Sequence, residues 1–191
     1  MKKIAKLSSL IIIVVLFSTP TFSQSQEEMK AMMDYMTPGD IHKMIAKWDG
    51  NWTEEITLWM QPGAPPVKST GTCSNKMILG GRYQENKHTG NFMGMPFEGI
   101  GTLAWDNARK IFISTWVDNM GTGIMYLEGP WDATSKTVTL KGKVTEPMSN
   151  SLVDVREVFT IIDDNTQKLE MFMTTNGQET KTMEINFKRA K

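Results

Sequence analysis

Five charged residues lie inside otherwise apolar stretches of this 191-residue sequence. They are Arg82, Glu98, Asp118, Arg156 and Glu184. Successive side chains of a β-strand point to opposite faces, so part of such a set faces the interior when a sheet closes on itself. An interior charge needs a partner, which is either an opposite charge of the protein or a polar group of a ligand.

Aromatic residues in the same stretches suit an apolar pocket with a few polar anchors. Trp105, Trp116 and Tyr126 complete the candidate ligand-binding set. Taken singly, each member also has a structural explanation, namely a solvent-facing position or an ion pair that braces the sheet. The set as a whole predicts a pocket for a small apolar or amphipathic molecule.

The sequence contains no recognisable catalytic motif. A P-loop, a nucleophile elbow, H-E-x-x-H and C-x-x-C are all absent. We therefore predict no catalytic residue and favour a binding protein. Two alternatives stay open: an enzyme that works on a bound small molecule through carboxylates such as Glu98 or Asp118, and a structural or interaction protein with a filled interior.

The two histidines predict no metal site. We expect His42 on the second helix and His88 in an exposed polar strand, each as an ordinary surface histidine, so that they share no ion. Haem ligated by His88 is one alternative, although its hydrophilic neighbours do not suit a haem pocket. The 16 methionines, with Met93 and Met95 close together, make copper(I) another, but core packing explains them more simply. We expect no cofactor.

The N-terminal residues predict export. Residues 1–23 combine early lysines, an apolar core and small residues, as a signal peptide does, with cleavage expected between Ser23 and Gln24. No later segment reaches the roughly 20 apolar residues of a membrane span. The mature protein is therefore expected in the periplasm or outside the cell.

The net charge and the number of cysteines bear on the class of partner and on disulfide formation. The predicted signal peptide contains three lysines and no acid, so its loss changes the formal net charge from 0 to −3. That charge does not favour nucleic acid as a partner. A single cysteine excludes an internal disulfide, and we expect Cys73 to be a small buried apolar residue.

Two short helices are predicted over residues 24–49. Ser25 and Glu28 form a capping box before the first, and Thr37 with Pro38 begins the second. The first helix has a methionine stripe at helical spacing, which packs either on the barrel or on a protein partner. The stripe consists of Met29, Met32, Met33 and Met36.

From residue 50 to 191 the apolar period becomes 2, with turn signals about every ten residues, as in an all-β sandwich or barrel. Ten antiparallel strands are expected, at about 51–60, 68–77, 80–89, 97–105, 111–118, 123–129, 136–144, 152–162, 168–175 and 179–189. Glycines inside or beside these strands indicate a sheet that bends. A helix followed by Gly50-x-Trp52, with Arg189 placed to stack on that tryptophan, is typical of lipocalin-like barrels.

These segments resemble domain-of-unknown-function family 1579 over roughly residues 38 to 190. The resemblance rests on Gly50-x-Trp52, Pro62-Gly63, Gly80-Gly-Arg82, Gly94-Met-Pro-Phe-Glu-Gly99, Trp116-Val-Asp118, Lys181-Thr-Met-Glu184 and Arg189. It implies an antiparallel calycin barrel of about 8–10 strands behind two N-terminal helices. It implies no activity, so the volume inside the barrel becomes the discriminating quantity: roughly 300 Å³ or more favours binding.

Overall fold

The computed structural model describes residues 25–61, 63–147 and 149–191. The predicted signal peptide and its cleavage site after Ser23 lie outside the described residues, as does Pro62 of the quoted Pro62-Gly63 segment. None of the helices in the described ranges has the length and apolar character that crossing a membrane requires.

Two helices precede the sheet: α1 spans Gln26–Met36 and α2 spans Asp40–Ala46. The capping box of Ser25 and Glu28 is confirmed at the start of α1. The predicted N-cap of the second helix is wrong, because Gly39 holds that position. Thr37 instead donates its hydroxyl to the carbonyl oxygen of Met33 and so closes α1.

Eleven strands follow, and ten of them are the predicted ones with small changes at their ends. They are β1 (Gly50–Leu58), β2 (Val67–Ile78), β3 (Tyr83–Phe92), β4 (Met95–Asp106), β5 (Ile111–Asp118), β6 (Met125–Gly129), β7 (Trp131–Asp132), β8 (Thr137–Glu146), β9 (Ser151–Asp163), β10 (Thr166–Thr175) and β11 (Gln178–Arg189). The addition is the two-residue β7, which is too short to leave a periodic signal.

The strands form one closed antiparallel barrel. Strands that follow one another in the chain pair with each other, except β6 and β7; in addition, β1 pairs with β11, and β6 pairs with β8 to close the sheet. Strand β7 pairs only with the first residues of β8, so ten strands make the barrel wall. The predicted fold class is confirmed.

Helix α2 closes one end of the barrel. Ile45 and Trp48 are buried in the main core cluster together with Phe112 and Leu127 of the barrel interior. Next to this plug, the guanidinium carbon of Arg189 lies 4.4 Å from the ring centre of Trp52, which confirms the predicted stacking. Arg189 also donates to the carbonyl oxygens of Asp49 and Lys47, tying the last strand to the end of the helix.

The opposite end of the barrel is much less covered. Its inward-facing apolar side chains are half-buried, whereas those toward α2 include fully buried ones such as Phe112, Leu127 and Val138. These half-buried side chains form a ring at the open end, which we call the mouth. They are Ile56, Phe97, Trp116, Met125, Val144, Val153, Met171, Met173 and Met183. The barrel is therefore a cup whose floor is formed by α2.

The methionine stripe of α1 does not pack on the barrel. Each of its four methionines is between 45% and 55% exposed, and α1 has no buried residue. The end of the helix is fastened instead by Asn107, whose side-chain amide donates to the carbonyl oxygens of Asp34, Tyr35 and Thr37. The prediction that the stripe packs on the barrel is therefore wrong, and its packing on a protein partner stays a prediction.

Two strand glycines make room for Trp116 at the mouth. A Cβ atom at Gly99 would lie 2.3 Å from Cζ2 of Trp116, and one at Gly101 would lie 3.3 Å from Cε3 of the same ring. The ring crosses the inner surface of β4 at van der Waals distance. Close approach, and not a left-handed backbone conformation, is the reason for glycine at both positions.

We predict that Gly99→Ala lowers the free energy of unfolding by about 1–3 kcal/mol, because the new methyl group overlaps the Trp116 ring. Chemical denaturation measures the change. The matched control is Gly123→Ala, where a Cβ meets no atom within 4 Å; its effect should stay within about 0.5 kcal/mol. Equal effects of the two substitutions would contradict the packing explanation.

Candidate functional site

A cavity of about 100 Å³ lies inside the barrel, between the α2 floor and the mouth. We call it the interior cavity. Its wall is apolar in part, with Trp48, Leu140 and Phe187 among the lining residues, but about half of the lining side chains are polar. The polar members are Asn75, Gln84, Asn86, His88, Ser114, Glu157 and Gln167.

A carboxylate, an imidazole and a thiol meet on one wall of the barrel. Glu54 on β1, Cys73 on β2 and His88 on β3 have ligand-type atoms that all lie within 4.8 Å of one another. His88 Nδ1 is 2.6 Å from Glu54 Oε1, and His88 Nε2 is 3.5 Å from Cys73 Sγ. The strand register explains the meeting, because Cys73 pairs directly with His88 across β2 and β3.

The surroundings hold this Glu54–Cys73–His88 cluster in place. Gly71 leaves space for the carboxylate, since a Cβ there would lie 2.6 Å from Glu54 Oε2. Trp116 contacts the His88 ring edge-on, with 4.9 Å between ring centres. Glu54 is 3% exposed and the Cys73 residue is 3% exposed, so the cluster is screened from bulk water.

The order thiol, imidazole, carboxylate is also that of a hydrolytic triad, but this thiol is not activated. Burial, helped by the charge of Glu54, raises the pKa of Cys73 above its usual value. The thiol donates to Asn75 Oδ1 at 2.9 Å and so is held in its protonated form. Binding fits the cluster better than nucleophilic attack, and the predicted burial of Cys73 is confirmed.

One of the two buried glutamines is fully engaged. Gln84 Nε2 donates to the carbonyl oxygen of Ile45 at 3.0 Å and to Asp49 Oδ1 at 2.8 Å. Asn86 donates to Gln84 Oε1 and to Asn75 Oδ1, which extends the network along β3. These bonds join the barrel wall to the end of α2, so this part of the polar lining has a structural role.

Two other interior polar groups lack such partners. Gln167 Nε2 is buried and has no hydrogen-bond partner within the described ranges. Glu157 is 6% exposed, and burial is the cause of its raised pKa. Both residues line the interior cavity. A buried polar group without a partner costs about 1–3 kcal/mol, so a group of this kind that lines a cavity is bonded by water or by a ligand.

Three of the eight candidate residues from the sequence face the barrel interior. Trp105 packs edge-on against Phe112 in the core, 5.1 Å between ring centres. Trp116 is part of the mouth, and its Nε1 donates to Asp118 Oδ2 at 2.7 Å. Trp116 and Asp118 therefore stand above the interior cavity, whereas Trp105 is core.

The other five do not line the interior. Arg82 and Glu98 are exposed, the first in the turn between β2 and β3 and the second on the outer face of β4. Tyr126, Arg156 and Glu184 lie on the outer face of the barrel in charged clusters, where their partners are Glu128, Glu179 and Lys181 respectively.

Arg156 also borders a depression of about 480 Å³ on the outer face. Four of its five lining charges are already paired: Arg156 with Glu179 at 2.6 Å and Lys143 with Asp154 at 2.7 Å. Since all four are outside the barrel and at least a quarter exposed, we assign no site there.

The predicted surface positions of the two histidines are wrong. His42 is 5% exposed, and its Nδ1 accepts a hydrogen bond from the backbone nitrogen of Gly39. The side chain of His88 is 13% exposed and faces inward. The polar run around His88 hid its direction, because hydrophilic residues occupy both faces of β3.

Sequence reasoning missed Glu54, Gln84, Glu157 and Gln167. A signal existed for two of them: Glu54 falls between the buried Trp52 and Ile56, and Glu157 continues the inward positions of Val155 and Phe159. An acidic residue at a position where the alternation of a strand calls for an apolar residue therefore indicates an inward-facing carboxylate.

Burial raises the pKa of Glu157 from its usual 4.5 to about 7. Between these values the folded protein keeps the proton that the unfolded chain has released, so stability falls as the pH rises through this window. Glu157→Gln removes that titration. We expect the variant to match the wild type below pH 4.5 and to exceed it by up to about 3 kcal/mol in free energy of unfolding above pH 7.

Urea denaturation across this pH range measures the difference. Glu98→Gln, which removes an exposed carboxylate on the outer face, is the control and should parallel the wild type. Parallel curves for Glu157→Gln and the wild type from pH 4.5 to 8 would refute the burial of an unpaired carboxyl group.

The comparisons with known proteins support the fold and leave the activity open. The structure titled "Crystal Structure of Rv2717c from M. tuberculosis" is similar, with a TM-score of 0.61 and 12% sequence identity over 81% of this chain and 100% of that chain. No curated protein matches the chain. The family model described as "Protein of unknown function (DUF1579)" matches residues 37–189. Since that match covers most of the sequence, as the resemblance predicted, this protein belongs to the DUF1579 family.

Proposed function

We propose that the barrel binds a small amphipathic molecule whose polar group occupies the interior cavity. The observation that carries this proposal is the unpartnered amide of Gln167, which is 2% exposed and lines that cavity together with Glu157. An amide donor and a carboxyl group together match a ligand with a hydroxyl, carbonyl or amide function.

The cavity volume limits what can be enclosed. About 100 Å³ is several times the 10–15 Å³ that one water needs, but it does not reach the roughly 300 Å³ that was expected of a pocket enclosing a whole ligand. The enclosed part of the ligand therefore has only a few non-hydrogen atoms. A larger ligand must extend toward the mouth.

The mouth provides an apolar surface for such an extension. Its ring of methionine, aromatic and branched side chains is half-buried and continuous with the core. Methionine side chains adapt to ligands of different shape, and Met125, Met171, Met173 and Met183 supply a large share of the ring. This gradient from a polar cavity to an apolar mouth favours an amphipathic ligand over a purely apolar one.

The same features bear on the two alternative functions, an enzyme and a structural or interaction protein with a filled interior. An enzyme would need a second free carboxylate beside Glu157, and Glu54 is already engaged by His88. A barrel with a purely structural role would need ordered waters in the cavity to bond Gln167 Nε2. Export to the periplasm or beyond is part of the proposal, on the strength of residues 1–23.

Stability and binding should respond in opposite directions at Gln167. We predict that Gln167→Leu raises the free energy of unfolding by about 1 kcal/mol or more, because it removes a buried donor without a partner. The control is Gln84→Leu, which removes an amide that donates two hydrogen bonds and should be destabilising by about 1–3 kcal/mol. Destabilisation by both substitutions would mean that Gln167 has a protein partner.

Binding is tested with straight-chain alcohols and carboxylic acids of increasing length, followed through the fluorescence of the tryptophans, of which Trp116 lies at the mouth. We expect affinity to rise with chain length and to fall at least tenfold in Gln167→Leu. Glu98→Gln, on the outer face, should bind as the wild type does. Saturable binding that is unchanged in Gln167→Leu, or no binding by any member of the series, would overturn the proposal.

A further inference from the structure

We propose that Cys73 and His88, supported by Glu54, form a binding site for one divalent metal ion of the zinc type. The sequence predicts no metal ligand, because its polar residues around His88 indicate an exposed strand. The structure instead brings an imidazole, a thiol and a carboxylate from three adjacent strands within 4.8 Å. These are the ligand types that zinc prefers.

The distance between the two proposed ligand atoms fits a shared metal. Zinc lies about 2.3 Å from a thiolate sulfur and about 2.0–2.1 Å from an imidazole nitrogen, so at a tetrahedral angle the two ligand atoms are about 3.5 Å apart. Cys73 Sγ and His88 Nε2 are 3.5 Å apart. The thiol hydrogen of Cys73 is directed to Asn75 Oδ1, with 2.9 Å between Sγ and Oδ1. That hydrogen bond does not require Cys73 Sγ to lie close to His88 Nε2.

Glu54 completes the arrangement by orienting the ring. Its Oε1 accepts from His88 Nδ1 at 2.6 Å, which places the other ring nitrogen opposite the sulfur. A carboxylate that holds the far nitrogen of a histidine is a common support for a metal ligand and strengthens its binding. The space left by Gly71 for this carboxylate keeps it in position.

The charges balance for a divalent ion. The deprotonated thiol and the carboxylate bring two negative charges into a part of the barrel where Glu54 and Cys73 are each 3% exposed. A divalent cation neutralises both, whereas copper(I) would leave one negative charge buried without a partner. Metal binding releases the thiol proton to solvent, and no oxidation or reduction takes place.

The remaining metal positions point to the interior cavity. Cys73, Asn75 and His88 all line the cavity, so the metal positions that Cys73 and His88 do not fill are available to water or to a small anion, as in open zinc sites. The residues of the metal site are distinct from Gln167 and Glu157, although both sets line the interior cavity.

The test uses the full mature chain, purified without a histidine tag, reduced and freed of metal by a chelator. Titration with Co²⁺ should give one ion per chain with a thiolate-to-cobalt absorption band in the near ultraviolet, and Zn²⁺ should displace it. Cys73→Ser should abolish the band. His88→Gln should weaken binding about 100-fold or more, and Glu54→Gln about 10–100-fold.

His42→Gln, which removes the other buried histidine, is the matched control and should leave the band unchanged. Near-ultraviolet circular dichroism checks that each variant is folded. If a cysteine variant does not fold, the dependence of the unfolding temperature on Zn²⁺ in the wild type and in His88→Gln decides. No cobalt band, or a band and a zinc-dependent stabilisation that survive His88→Gln, would overturn the site.

Discussion

Closure of the sheet between β6 and β8 is the constraint on which the rest of the structure depends. It removes both sheet edges, and with α2 across one end it takes the inward-facing side chains of ten strands out of water. Every polar group on that inner surface must then be bonded to the protein or to something that enters. The proposed binding function therefore rests on which interior polar groups have a hydrogen-bond partner in the protein and which do not.

The satisfied groups have a clear structural purpose. Gln84 and Arg189 bond to backbone carbonyls at the end of α2, so that the plug and the barrel wall become one unit. On the other side of the interior, Glu157 and Gln167 have no such bonds, although β9 and β10 hold them as firmly as any core residue. A protein that gained only stability from its interior would carry apolar residues at these two positions.

The sequence predicted the barrel far better than it predicted the interior. Turn residues and the period of 2 identified ten strands, and Trp52 with Arg189 identified how the barrel begins and ends. The sequence did not show which face of a polar strand points into the barrel, because β3 has no alternation of apolar and polar residues. At β9, Arg156 stood out by its charge, but the phase of Val155 and Phe159 puts Glu157 inside and Arg156 outside. The meeting of Cys73 with His88 requires the strand register, which turn lengths alone do not fix.

The account is tested most directly by a high-resolution crystal structure of the protein as purified from its own host. We predict electron density for a bound molecule in the interior cavity, with a polar atom within hydrogen-bond distance of Gln167 Nε2 and the remainder directed to the mouth. A cavity closed by repacked side chains, or occupied only by ordered waters that bond both Gln167 and Glu157, would contradict the proposed binding function.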